Sequence, residues 1–418
     1  NSSVSFIHQP SGEFMLQGKR ITLIVSGGIA AFKSCEAARL LMKAGAEVQT
    51  VLTEHAAEFV TPLTFEALTG KPALTTEWAK NPYSVMPHIE LARTSDLLLV
   101  MPATANLIAK AANGIADDLA STLIAARRSP IAFVPAMNQA MWANPALKRN
   151  VAHLKLDGAA FFGPVEGLQA CGDKGAGRMM EPAEVCELAD ALFSPKTLVG
   201  KRVIITAGPT YEAIDPVRGV TNRSSGRQGF EIARAARNAG AEVTLIAGPV
   251  SLSTPVGVRR IDVVSARDMD QAVQTELDQS PCDLFIGVAA VADWRPGAVS
   301  IRKIKKDASG HSALQDLLWS ENPDILARVG ERPGAPLTVG FAAETAEGAT
   351  LSAFAREKLI RKHAALIVAN DARFALHSEE NSIRIVSASE EEHFGPAPKR
   401  ACAEFIVAAA ARELARRG

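Results

Sequence analysis

The sequence predicts an α/β protein built from two doubly wound, mainly parallel sheets. Three observations carry this. First, "KRITLIVSGGIAAFKSCEAARLLMKAGAEVQTVLT", from Lys19, reads as apolar strand, glycine-containing turn, helix and second apolar strand. Second, "KRVIITAGPT", from Lys201, opens the same way and continues after an inserted loop as "GFEIARAARNAGAEVTLIAG". Both helices run into Ala-Gly-Ala before the next strand, as in the βαβ opening of a doubly wound sheet. Third, short apolar runs recur near 96–101, 131–134, 283–288, 337–341 and 365–368, as expected of strands buried on both faces.

A chain of 418 residues has room for two such domains. "LFSPKTLVG", Leu192 to Gly200, has the proline and glycine of a linker. The expected layout is an extension over 1–18, a first domain over 19–191, a linker over 192–200 and a second domain over 201–418. The start, "NSSVSFIHQPSGEFMLQGKR", lacks the basic-then-apolar plan of a signal peptide. Lysine plus arginine equals aspartate plus glutamate at 45 each, so no basic excess points to nucleic acid. The 47% apolar content suits packed cores and argues against global disorder. No uninterrupted apolar run approaches the roughly 18 residues of a membrane span. Five scattered cysteines, with no CxxC pair, fit a reducing cytoplasm better than a disulfide framework or zinc site.

In open α/β sheets ligands bind beyond the carboxyl ends of the strands, so the residues just after each strand carry the functional signal. "SGGIAA" after the first strand places Ser26, Gly27 and Gly28 at a helix mouth, where amides and the helix dipole favour an anion. A tight turn explains these glycines as well. Thr53 begins "TEHA"; "MPATANLIAK" brings Pro102, Ala103 and Thr104; "NGIADDLAST" brings Ser121. Their polar groups suit a polar cofactor, with helix caps at Thr104 and Ser121 as the plain alternative. His88, just before a helix in "PHIELARTSD", is either a capping histidine or a proton-transfer group. Asn138 in "PAMNQAMW" can fix a carboxylate or an amide, whereas Met137 and Met141 read as core. "LQACGDKGAGRM" sets Cys171 among Gly172, Gly175 and Gly177, a run that packs poorly and moves easily. That is not the setting of an inert buried cysteine.

In the second half, "TAGPTYEAIDPVRGVTNRSSGRQG" is too long for a simple βα turn. It carries Asp215, Arg218, Asn222, Arg223, Ser224, Ser225 and Arg227, and its glycines, serines and arginines before a helix suit an anionic ligand. Asp293 lies in "GVAAVADWRP"; "RKIKK" offers Lys303, Lys305 and Lys306, either as a solvated face or as phosphate-neutralising cations. "VGFAAET", Val339 to Thr345, has small residues and apolar walls for a base, although Phe341 reads equally as core.

Taken jointly, "SGGIAA", "HIEL", "PATANLIA", "PAMN" and "QACGDKGAGRM" resemble the flavin-dependent cysteine decarboxylases, and the downstream half resembles the phosphopantothenate–cysteine ligases. From Lys19 onward the chain is similar to the bacterial bifunctional decarboxylase/ligase family of coenzyme A biosynthesis. This implies a flavodoxin-like, FMN-binding first domain and a nucleotide-binding second domain. It implies CTP-dependent ligation of 4'-phosphopantothenate with L-cysteine through an acyl-cytidylate, then FMN-dependent oxidative decarboxylation to 4'-phosphopantetheine and CO2. The chemistry is coherent: a carboxylate on a plain aliphatic carbon has nowhere to leave its electrons. Oxidising the adjoining C–S unit to a thioaldehyde supplies the sink, and the enethiol left after CO2 departs must be reduced again.

By similarity, His88 serves the oxidation, Asn138 holds the substrate carboxylate, and Cys171 gives the proton of the final reduction from a loop that closes and opens. Ser26, Gly27, Gly28, Thr53, Pro102, Ala103, Thr104 and Ser121 are the matching cofactor positions. The ligase positions are Arg218, Gly287, Val288, Ala289, Asp293, Lys303, Asn322, Pro323, Asp324, Ile325, Phe341, Lys358 and Lys362. Lys303 serves nucleotidyl transfer, and Asn222 the conversion of the acyl-cytidylate. Mg2+, held largely by the CTP phosphates, offsets the developing charge. A homo-oligomer with trimeric decarboxylase and dimeric ligase contacts, up to a dodecamer, is also implied. "ADD", Ala116 to Asp118, departs from the amide expected before the last aspartate, which leaves the contacts of Asp117 open. The alternatives are a single active domain, a flavin prenyltransferase or an FMN-binding regulatory protein. A nicotinamide oxidoreductase is disfavoured because neither loop pairs GxGxxG with an acidic residue at the next strand end.

Overall fold

The computed structural model describes residues 15–78, 86–169, 172–305, 312, 314–344, 348–371 and 380–417. The described chain divides into two compact units, one within Phe14–Ser194 and one within Pro195–Gly418. Among the described residues no helix is long and apolar enough to cross a membrane.

The first unit follows its apolar runs. β1 (Arg20–Val25), α1 (Phe32–Lys43) and β2 (Glu47–Leu52) form the opening βαβ. α2 (Glu54–Phe59), α3 (Pro62–Thr69) and α4 (Pro87–Thr94) lead to β3 (Leu97–Ala103). Then come α5 (Ala105–Asn113), α6 (Leu119–Ala126), β4 (Ile131–Pro135), α7 (Gln139–Ala143), α8 (Pro145–Leu156) and the short β5 (Ala160–Phe161). The five strands pair in parallel in the order β2-β1-β3-β4-β5, the flavodoxin-like arrangement. All of β3 is buried, which is why it reads as an unbroken apolar run. A separate hairpin, β6 (Val165–Leu168) with β7 (Lys174–Arg178), precedes α9 (Pro182–Leu192).

Three expectations change here. The extension expected over 1–18 ends too late: Leu16 is fully buried and its amide donates to Asp190 Oδ1 at 3.2 Å. His88 lies inside α4 rather than before it, because Pro87 occupies the first turn, where a missing N–H costs nothing. The glycine run is not simply loose. Gly175 and Gly177 belong to β7, and the Met137 amide donates to the Gly177 carbonyl at 3.0 Å. Gly177 permits close approach to the Met137–Asn138 backbone, and Gly175 to the side chain of Gln139.

In the second unit β8 (Arg202–Ala207) is followed by the hairpin β9 (Tyr211–Ala213) and β10 (Gly219–Thr221), then α10 (Arg227–Asn238). β11 (Glu242–Ala247), β12 (Arg259–Asp262), α11 (Ala266–Gln279) and β13 (Leu284–Gly287) continue the sheet. A small ribbon, β14 (Trp294–Pro296) with β15 (Trp319–Glu321), and α12 (Ile325–Gly330) come next. β16 (Leu337–Glu344), α13 (Gly348–Arg361), β17 (Leu366–Asp371), β18 (Glu380–Val386), β19 (Glu391–Pro398) and α14 (Lys399–Arg417) complete it. The order is β12-β11-β8-β13-β16-β17-β18-β19. The first six are parallel and adopt the dinucleotide-binding order 3-2-1-4-5-6. β18 and β19 add an antiparallel edge that the apolar runs did not announce. In β18 buried and more exposed residues alternate, so this strand lacks a continuous apolar signature.

The segment expected as a linker is packed at its far end. Leu198 is 1% exposed, belongs to the core with Val203, Ala236 and Ile406, and its amide donates to the Ala239 carbonyl. Elsewhere, burial pushes the thiols of Cys282 and Cys402 up to about 11.

Leu198→Ala should therefore destabilise the second unit by about 2–5 kcal/mol, the usual cost of a buried leucine truncation. Urea unfolding followed by a probe in Pro195–Gly418 measures it. A loss below about 1 kcal/mol, the range of a surface change, would mean that Leu198 is not a core residue.

Candidate functional site

Each sheet has a point where neighbouring strands send their chains to opposite sides, and a crevice opens there. In the first unit it lies between β1 and β3. Ser26 Oγ donates to the Pro102 carbonyl at 2.7 Å and accepts from the Thr104 amide at 3.0 Å, so one hydroxyl ties the two strand ends together. Thr104 caps α5 through the Leu107 amide. Gly27 sits so close to His55 that an added Cβ would run into its side chain and backbone. Among the described residues, the amides of Gly27 and Gly28 make no hydrogen bond, and both line the crevice. Free amides beside a half-turn are what an anionic group needs.

Two adjoining cavities, of about 980 and 460 Å3, share Gly27, Thr104, Ala105 and Met141. Ser26 and Thr53 line the larger, and Gly28 and Asn138 the smaller. Pro102, Ala103 and Ser121 line neither. Pro102 contributes its carbonyl to Ser26, Ala103 is buried, and Ser121 is the inner member of a capping box whose cap is Asp118. Asp117 has clear partners. Lys110 Nζ donates to it at 2.6 Å and holds its carboxyl below the usual range.

Asn138 caps α7, accepting from the Ala140 amide at 2.8 Å, and donates to Asp173 Oδ2 at 2.7 Å. Asp173 lies in the turn between β6 and β7, so Asn138 joins the cavity wall to the hairpin. Cys171 lies outside the described residues. Its neighbour Gln169 lines the smaller cavity and accepts from the Gln139 amide at 3.1 Å. At the cavity edge Lys33 donates to Glu181 at 2.9 Å and, with Arg178, keeps that carboxyl low. His88 does not line either cavity. Its buried Nδ1 stands 3.6 Å from Glu77, too long for a hydrogen bond, and among the described residues it has no hydrogen-bond partner. Glu77 itself lines the larger cavity.

In the second unit the crevice lies between β8 and β13. The Val288 amide donates to the Thr206 carbonyl at 3.1 Å, and the Ala289 amide to Thr206 Oγ1 at 3.4 Å. A cavity of about 580 Å3 gathers Gly287, Ala289, Asp293, Asn322, Pro323, Asp324, Ile325, Phe341, Lys358 and Lys362. Val288 faces the core instead. Asn322 donates to the Ala292 carbonyl at 2.8 Å, while its own amide donates to the Asp293 carbonyl at 2.8 Å. Asp324 caps α12 and pairs closely with Lys362. Burial pushes the Lys362 amine below the lysine range, against the pull of Asp293. Lys358 donates to the Phe341 carbonyl at 2.6 Å, and Phe341 both packs on the core and lines the cavity.

Asn222, Arg218 and Lys303 stand outside that lining. Asn222 donates to the Ala290 carbonyl at 2.6 Å, between the lining residues Ala289 and Val291. Arg218 is bound to Asp215 and to the Ile304 carbonyl, next to Lys303. Lys306 and Thr345 lie outside the described residues. Among the described residues no three His, Cys, Asp or Glu side chains cluster as metal ligands would.

Comparison with known proteins agrees with this division. Residues 11–194 match the family described as Flavoprotein, and residues 198–414 match the DNA/pantothenate metabolism flavoprotein C-terminal domain. A Coenzyme A biosynthesis bifunctional protein CoaBC of Vibrio cholerae is 48% identical over 374 residues, 88% of this chain and 92% of that protein. The chain belongs to the family of coenzyme A biosynthesis bifunctional proteins. The family's protein of the same name from Bacillus subtilis is 46% identical over 363 residues, 86% of this chain and 87% of that protein. The crystal structure of the C-terminal domain of a CoaBC family protein shares 36% identity, covering 53% of this chain and 99% of that one, with a TM-score of 0.45.

Sequence reasoning in family terms missed several groups in or beside these crevices. Thr206 is an ordinary strand-end threonine until β13 is placed beside it. Lys110, Lys33 and Glu181 carry no local motif. Arg361 lines the ligase-side cavity from the same helix as Lys358, one helical turn along, which the i, i+3 spacing did allow.

Gly177 has positive φ, and an added Cβ would strike the Met137 carbonyl oxygen and Gln169 Nε2; at Gly175 it would meet only the flexible end of Gln139. Gly177→Ala should cost at least about 1–3 kcal/mol and loosen the β6–β7 hairpin. Gly175→Ala should cost clearly less. Thermal unfolding of the two variants makes the comparison, and equal losses would mean that backbone approach at Gly177 is not the constraint.

Proposed function

We propose that Phe14–Ser194 is an FMN-dependent 4'-phosphopantothenoylcysteine decarboxylase and that Pro195–Gly418 is a CTP-dependent 4'-phosphopantothenate–cysteine ligase. The observation that carries this reading is that two sets of family-matched residues gather at two separate crevices. In the first unit the free amides of Gly27 and Gly28, hydroxyls at Thr53 and Thr104, and paired cavities fit a flavin mononucleotide with room for a substrate.

FMN, when bound, supplies the two-electron oxidation that creates an electron sink next to the carboxylate and the reduction that restores the thiol. The amides of Gly27 and Gly28 hold its phosphate. Asn138, fixed by Ala140 and Asp173, orients the substrate carboxylate. His88, whose Nδ1 makes no hydrogen bond among the described residues and lies 3.6 Å from Glu77, moves the proton of the oxidation step. The Cys171 thiol gives the last proton.

In the second unit the phosphopantothenate carboxylate attacks the α-phosphorus of CTP. The bond to the β-phosphate breaks, pyrophosphate leaves, and an acyl-cytidylate forms. Lys303, Lys358 and Lys362 offset the charge on the phosphates, with Mg2+ carried by the triphosphate. The cysteine amine then attacks the acyl carbon, loses a proton, and expels CMP. Asn222, Arg218 and Asp293 hold the acyl group for this second half. The narrow cavity among Phe341, Ile325 and the Asn322–Asp324 loop takes the base. By the family resemblance, the working form is a homo-oligomer with trimeric contacts for the first unit and dimeric for the second.

Three outcomes test it. Flavin released by acid should run as FMN; FAD would overturn the cofactor assignment. Lys303→Gln should lose about 2–4 kcal/mol of transition-state stabilisation, on the order of a hundredfold in rate, and yield neither pyrophosphate nor acyl-cytidylate. Asn222→Lys should still release pyrophosphate and leave acyl-cytidylate visible by mass spectrometry, with little amide. The opposite pattern would mean that the two roles are exchanged.

A further inference from the structure

We infer that Asp215 is a positioning residue for the ligase half-reaction, clamping the backbone that carries Lys303 to the hairpin loop that carries Arg218 and leads to Asn222. The inference rests on the ligase reading above and deepens it. Asp215 is 1% exposed, although it sits in a loop rich in glycine, serine and arginine. Its Oδ1 accepts from the amides of Val217 at 2.8 Å and Arg218 at 2.9 Å. Its Oδ2 accepts from Arg218 Nε at 3.0 Å and from the Ile304 amide at 3.2 Å. Arg218 Nη2 reaches the Ile304 carbonyl, so both polar groups of that residue's backbone are gripped. A further bond, Ser300 N–H to the Ile214 carbonyl at 2.9 Å, fastens the start of the same segment.

The chemistry explains why a carboxylate stands here. Every group facing Asp215 is a donor, and only an acceptor with no N–H of its own satisfies them all. A buried charge is costly unless it is paired in this way, and removing it strands several donors. The segment it holds carries Arg302, Lys303 and Lys305, whose like charges repel and would spread an unanchored loop. Burial works against the Asp215 carboxylate, but the amides of Val217 and Ile304 and the Arg218 side chain outweigh it and hold the carboxyl down at about 2. The clamp is therefore closed throughout the neutral range. Its effect on catalysis runs through geometry: a cation displaced by an ångström from the phosphates loses most of its value.

Asp215→Asn, in the full chain, replaces one acceptor with an N–H aimed at donors. Amide exchange at Ile304, and trypsin cleavage after Lys303, should each rise at least about tenfold as local opening becomes easier. The kcat for pyrophosphate release from CTP and 4'-phosphopantothenate should fall about tenfold or more, with KM for CTP within about threefold, because the cavity lining does not touch Asp215. Lys303→Gln should lower pyrophosphate release without opening Ile304. If Asp215→Asn opens Ile304 but leaves kcat unchanged, or leaves Ile304 closed, the inference fails while the ligase reading stands. A wild-type chain that makes no pyrophosphate would sink the ligase reading itself. Should Asp215→Asn fail to fold, Arg218→Lys, which keeps the charge and loses the fork, is read by the same exchange at Ile304, and unchanged exchange again overturns the clamp.

Discussion

At the centre of each sheet a strand-end hydroxyl spans the gap between two strands whose chains turn away from each other. Divergence there leaves backbone groups without their sheet partners, and buried orphans of this kind are costly. Ser26 answers in the first unit by donating to Pro102 and accepting from Thr104. In the second, Thr206 receives the Ala289 amide on its hydroxyl and the Val288 amide on its carbonyl. These few bonds brace the floor of each crevice. Gly27, Gly28 and Asn138 line it in the first unit, and Asp293, Lys358 and Lys362 in the second.

The two units build their walls differently. In the first, glycines allow close approach: Gly27 against His55, and Gly177 against the Met137 carbonyl. The cations at the edge, Lys33 and Arg178, are already paired with Glu181. In the second, charge comes from a helix. Lys358, Arg361 and Lys362 lie at and just beyond the end of α13, and that helix is moored to the antiparallel edge of the sheet. Glu391 on β19 accepts from Ser352 at 2.6 Å and from Arg356 and Arg384, which keeps its carboxyl low. The antiparallel edge thus has a mechanical use: it fixes the orientation of a helix whose far end carries cavity lysines.

How much was legible in the sequence depends on how far each signal reaches. Strands buried on both faces, such as Leu97–Ala103, declare themselves by composition alone. β18 does not, because its buried and exposed residues alternate, and the outer strand β19 beside it has no buried residue. The glycines of "GDKGAGRM" are visible as glycines, but whether one serves motion or close packing depends on a backbone, Met137–Asn138, about forty residues away in sequence. Family motifs put most ligase positions on one cavity, yet Val288 turns to the core, since neighbouring residues of a strand end face opposite sides. Asp215 was only one charged residue in a loop. Its importance depends on Ile304, which no local pattern links to it.

The high thiol pKa values of Cys282 and Cys402 bear on the company this protein keeps. A chain proposed to handle free cysteine and thiol products is exposed to mixed-disulfide exchange, which needs a thiolate as the attacking species. With both groups held at about 11 by burial, only roughly one thiol in ten thousand is ionised at neutral pH. These two sulfurs are thereby insulated from trapping by the protein's own small-molecule chemistry, and packing that serves the cores also serves as redox shielding.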